Sequence, residues 1–136
     1  MDWRVPSLDR SLWDLLISVR GAEAAPADIA IVAIDEPSIA RLGPYPWPRS
    51  VVARAIDTIS AADPRAIALD VLYAGATNAE DDAAMARALA RARNVVAAAQ
   101  LDDSRSWVLP LPEIEQAAAA LGHVNLDKDG RSRGAG

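Results

Sequence analysis

The chain has no cysteine, no phenylalanine and a single histidine, and aromatic residues fill only 4% of its 136 positions. The missing cysteine excludes disulfides, thiolate metal sites and cysteine nucleophiles, and it leaves the compartment open. The apolar content is 51%, but much of it is alanine. The core is therefore expected to be thin, with helices close to a sheet. No run of roughly 18 apolar residues occurs, so no membrane-crossing helix is expected within these residues. Met1-Asp2-Trp3-Arg4-Val5-Pro6 lacks the basic start and apolar core of a signal peptide. The formal net charge is −5 and the arginines are scattered among acids, so nucleic acid is not an expected partner. Glycine-rich nucleotide loops and a nucleophile elbow are also missing. What remains reads as a soluble, acidic α/β domain, long enough to bury a core.

The element that would organise such a domain is Asp28-Ile29-Ala30-Ile31-Val32-Ala33-Ile34-Asp35. Ile29 to Ile34 is apolar on both alternating faces, the pattern of a strand covered on two sides. It ends on a carboxylate and runs directly into a short helix that starts at Pro37. Ahead of it, Leu8, Leu12, Leu15, Leu16 and Val19 recur at helical spacing, which predicts an amphipathic helix over 7–21 closed by Gly21.

Behind it, Gly43-Pro44-Tyr45-Pro46-Trp47-Pro48-Arg49 predicts a stiff loop, since three prolines fix φ. A helix is expected over 48–62 on Val52, Ile56 and Ile59. Strands are expected at Ala66–Tyr73 and Val95–Leu101, with a helix between them capped by Asn78 and buried through Met85, Ala88, Leu89 and Ala92. A weaker helix on Ile114, Ala118 and Leu121 then precedes a short strand at His123. This alternation predicts an α/β fold: a mostly parallel sheet with helices on both faces, in three layers, incomplete at its C-terminus. The tail 131–136 reads as a truncated next element.

Asp35 and Asp70 both fall late in predicted parallel strands, at the sheet edge where open α/β folds bind ligands. Such carboxylates suit a hard cation or acid–base chemistry. The structural alternative is that Asp35 caps the helix after it and that Asp70 bonds the Trp47–Arg49 loop. Trp47 and Arg49 offer an aromatic wall with a fixed cation, or else Trp47 covers the sheet edge and Arg49 neutralises Asp35 or Asp70. Asn125-x-Asp127-x-Asp129-Gly130 begins like a calcium loop, but the twelfth position is Gly136, not Glu, and a hairpin turn is expected instead. His123 has no catalytic partner at a recognisable spacing.

Several blocks in order resemble the second CHASE family, the cyclase/histidine-kinase-associated sensory extracellular domains. They are Leu8-Asp9 with Leu12-Trp13-Asp14, Asp28 through Glu36, Ser38 through Gly43, and Pro46-Trp47-Pro48-Arg49. Ala68 through Tyr73, Asp81-Asp82-Ala83-Ala84, Asn94-Val95-Val96, and Leu121 through Asn125 with Asp127, Asp129-Gly130 and Arg131 continue the series.

The resemblance implies an extracytoplasmic, periplasmic sensor of a bacterial transmembrane receptor, with no catalysis, no catalytic or metal residues and no cofactor of its own. Its output domain would be an adenylate or diguanylate cyclase, a histidine kinase or a serine/threonine kinase. It further implies that residues 1–136 are the N-terminal portion of a single, longer sensory domain, joined to the membrane by helices outside this chain. The expected partners are an unknown small ligand or periplasmic protein, and a second copy in a homodimer. The candidate ligand-binding residues are Asp35, Trp47, Arg49 and Asp70. The alternative is a cation-binding or hydrolytic domain using Asp35 and Asp70.

Overall fold

Residue pattern and observed structure agree best in the middle of the chain. The computed structural model describes Val19 and residues 26–125. The expected helix over 7–21, apart from Val19, and the turn and tail beyond Asn125 lie outside the described residues. The chain divides into two compact units, Met1–Glu36 and Pro37–Gly136.

In the first unit the expected central strand is absent. Residues 29–35 form no strand, and Ile29, Ile31 and Val32 are exposed, Ile31 by 89%. The run has the composition of a buried strand. A strand, however, is defined by a partner that takes its N–H and C=O groups, and apolar side chains alone do not supply one.

Helix α1 (Glu36–Leu42) follows Asp35 directly and buries no residue. Gly43 ends it with φ +92°, the left-handed conformation that glycine adopts without a Cβ penalty, and its N–H bonds Ile39 O at 2.9 Å. The proline loop contains a cis Tyr45–Pro46 bond and leads into α2 (Arg49–Ser60), which buries Arg49, Ala53 and Ile56. β1 is only Ile67–Ala68, much shorter than the expected Ala66–Tyr73. Helix α3 (Ala79–Ala92) is capped as expected, with Asn78 Oδ1 accepting from the N–H groups of Glu80 and Asp81 at 2.9 and 3.2 Å. Asn78→Ala is expected to cost about 1 kcal/mol in urea unfolding, because two first-turn donors lose their acceptor.

β2 (Val95–Leu101) takes over the role expected of residues 29–35. It pairs parallel with β1, antiparallel with β3 (Trp107–Val108) and parallel with β4 (Ala120–His123). Val96 is register partner to both Ala68 and Ala120, so β1 and β4 lie on opposite edges of β2. The sheet is therefore mixed, with four strands. Between β3 and β4 lies α4 (Pro112–Ala117), which ends before Leu121; that residue belongs to β4 instead. Asn125 extends the β2–β4 pairing with its side chain, accepting from Leu101 N at 2.6 Å and donating to Leu101 O at 2.7 Å.

One core joins Ile56 of α2, Ile67 of β1, Met85 and Leu89 of α3, Val95 of β2 and Ile114 of α4. Ile67 and Val95 are register partners and so present the same face of the sheet to all three helices. The thin core expected from the alanine content is what forms: Ala53, Ala88, Ala97, Ala98 and Ala99 are all buried.

Candidate functional site

Arg49 opens α2 in register with Ala53 and Ile56, and it is 5% exposed. That register carries its guanidinium into the domain, where it needs acceptors. Nη1 donates to Asp82 Oδ1 at 2.6 Å, and Nη2 donates to the carbonyl of Gly75. The guanidinium also lies over the Tyr73 ring, 5.5 Å from its centroid. Asp82, likewise 5% exposed, sits in the second half of the first turn of α3. Its carboxylate accepts from the Thr77 amide at 3.0 Å and the Thr77 hydroxyl at 2.8 Å. Arg49 therefore ties the proline loop to the 73–77 loop and to the start of α3.

The two ionisable groups around this knot are displaced in opposite directions. Burial alone would raise the Asp82 pKa, but the Thr77 amide, the Thr77 hydroxyl and Arg49 outweigh it and hold the carboxyl below 3.8. Burial, with Tyr45 nearby, pushes the Tyr73 phenol up to about 12, and Arg49 offsets only part of this. At neutral pH the knot thus holds one cation, one anion and one neutral phenol.

Trp47 is half-buried beside it, and its indole N–H donates to Gly43 O at 2.7 Å. Tyr45 meets it edge to face at 5.9 Å, with Tyr45 43% exposed. Of the expected site residues, Trp47 and Arg49 are thus placed by one loop. Arg49 is committed to internal acceptors and pairs with Asp82, not with Asp70. Asp70 is exposed, and it makes no side-chain hydrogen bond or ion pair among the described residues. It does not bond the Trp47–Arg49 loop. Asp35 belongs to the first unit and directly precedes α1, the position of an N-cap. Among the described residues no three His, Cys, Asp or Glu side chains converge as a metal site. His123 packs edge to face on Trp107 at 5.4 Å.

Asp82, Thr77, Tyr73 and the Gly75 carbonyl were not among the expected site residues. A signal for Asp82 was present: it lies three and seven residues before Met85 and Leu89, in register with the buried stripe of its own helix. An acid on an apolar stripe calls for a buried cation, and Arg49 holds the matching register on α2.

The family model described as CHASE2 domain matches residues 2–135. The chain belongs to the CHASE2 family. No curated protein and no solved structure matches it significantly. CHASE2 domains are extracellular sensory domains of signalling receptors. In this CHASE2 chain no helix among the described residues is long and apolar enough to cross a membrane. The Pro46-Trp47-Pro48-Arg49 block that carried part of the resemblance now has a physical content: the proline loop feeds Arg49 into α2, where Asp82 receives it.

Proposed function

We propose that this CHASE2 domain is the non-catalytic, periplasmic sensor of a bacterial transmembrane receptor. It would control a cyclase, histidine kinase or serine/threonine kinase output domain. The family match across residues 2–135 is the observation that carries this reading. The signal is a small ligand or a periplasmic protein. A homodimer is the expected assembly, and membrane helices outside the chain carry the response. In this reading Trp47 and Asp70 offer ligand-facing groups, while Arg49 fixes the loop that presents Trp47. The mechanism is a population shift: a ligand biases the receptor only to the extent that it binds one arrangement more tightly.

A chimaera joining residues 1–136 and the flanking sequence of its own gene to an adenylate cyclase of known activity tests this. Deleting residues 2–135 is expected to change cyclic-AMP output several-fold in a periplasmic-extract screen. Trp47→Ala is expected to lower the response while circular dichroism shows a retained fold. Output that is indifferent to the deletion would sink the sensor reading.

A further inference from the structure

The outer edge of β1 is open. Ile67 and Leu69 turn their N–H groups toward β2, donating to Asn94 O at 3.0 Å and to Val96 O at 2.9 Å. By the alternation of a strand, Ala68 between them turns its N–H and C=O outward, and it is exposed. No strand among the described residues pairs with that side of β1. An edge of this kind is a template for any free strand that fits it. The first unit carries an unpaired run of the right kind: Ile29, Ile31, Val32 and Ile34 are all exposed.

Topology says which strand fits. The chain steps from β1 to β2 through α3 and from β2 to β4 through α4, crossing the sheet in the same direction each time. Both helices join one core on one face, and α2 shares that core. Parallel crossovers keep a single hand, so the same step taken through α2 calls for a parallel strand on the outer edge of β1. The run ahead of α2 with the composition of such a strand is Ile29–Ile34, apolar on both faces. Edge and run match in composition and in unpaired backbone groups, and a second copy of the chain brings both.

We propose that two copies exchange this run: Ile29–Ile34 of each adds as a parallel strand to the outer edge of β1 in the other. Main-chain hydrogen bonds supply the affinity, as in strand addition generally. The exchange is reciprocal and two-fold, so it closes at a dimer and covers both open edges. It names the surface of the homodimer in the sensor reading, on which its signalling meaning rests. Dilute chains keep the run exposed, whereas two receptors held side by side raise its effective concentration.

Sedimentation equilibrium of the 136-residue chain over a concentration series tests the exchange, and the wild type is expected to pass from monomer to dimer. Ala68→Pro removes the outward N–H and spares the β1–β2 bonds, which use residues 67 and 69. Ile31→Asp sets a charge in the middle of the donated run, at an exposed residue. Each is expected to weaken dimerisation by about tenfold or more, because both contacts lose a ladder bond or bury a charge. An equimolar mixture of the two variants is expected to associate again, since one copy keeps an intact edge and the other an intact run. Should circular dichroism show Ala68→Pro unfolded, Ile31→Asp carries the test alone. A wild type that stays monomeric, a folded variant that dimerises like the wild type, or a mixture of folded variants that stays monomeric overturns the exchange. Association is read without any output domain, so its failure leaves the sensor reading standing, and a silent chimaera leaves the dimer standing.

Discussion

Arg49→Ala is expected to destabilise the domain by about 3 kcal/mol in urea unfolding at pH 7, since it leaves the Asp82 carboxylate buried without its cation. Typical domains have roughly 5–15 kcal/mol in total, so a loss of this size moves the midpoint far and can leave the variant partly unfolded at 37 °C. Asp82→Asn is expected to lose a similar amount, now with the guanidinium stranded. Removing both charges with apolar side chains, Arg49→Met with Asp82→Leu, is expected to recover part of the loss. Recovery is incomplete because the Thr77 amide and hydroxyl and the Gly75 carbonyl lose their partners at the same time. If Arg49→Ala unfolds within 0.5 kcal/mol of the wild type, the buried pair is not what holds the two loops.

The same pair sets an acid limit. Asp82 has its folded-state pKa lowered below its ordinary 3.8. Its contribution is therefore fully present above that value and is lost as the pH falls through it toward the folded-state pKa. Wild type and Asp82→Asn are expected to differ most at neutral pH and to converge below about pH 4. A difference that persists unchanged into that range would mean that the carboxylate acts through its shape and not its charge.

Leu89→Ala is expected to cost about 3 kcal/mol, the middle of the range for removing a large buried aliphatic side chain. Few such side chains are available: among the described residues Ile56, Met85, Leu89, Ile114 and Val95 are the largest fully buried ones, and the sequence has no phenylalanine. The same cluster includes Ala53, Ala84, Ala88 and Ala92, whose single methyl groups cannot reorient to fill a cavity. Ile31→Ala removes aliphatic carbon of the same class from a residue that is 89% exposed, and it is expected to stay within 0.5 kcal/mol of wild type. Equal losses for the two variants in parallel urea titrations would show that residues 29–34 are buried after all and would overturn the exposed placement of this run.

The contrast between Leu89 and Ile31 shows where sequence suffices and where it does not. Local rules were enough for α2, α3 and β2. The stripe of Met85, Ala88 and Leu89 has a helical period, Asn78 supplies the N-cap, and Val95–Leu101 is apolar between a helix end and a polar turn. The family was also legible, because its blocks follow one another along nearly the whole chain. Each of these depends only on neighbours in sequence.

The rest depends on partners far along the chain. Ile29–Ile34 and Ala97–Ala99 are both apolar runs, and only strand pairing decides that the second carries the sheet while the first forms no strand. The sheet direction was equally hidden, since nothing within Trp107–Val108 states that it runs antiparallel to β2. Arg49 was singled out from sequence, but its partner was assigned by apparent strand order to Asp35 or Asp70. The tertiary structure gave it to Asp82, because packing α2 against α3 brings their two charged stripe positions together. Sequence alone thus determined helices α2 and α3, the central strand candidates and the family. Pairing and packing decided which apolar run is the core strand and which carboxylate meets the one buried arginine among the described residues, because both are settled by contacts between segments and not within them.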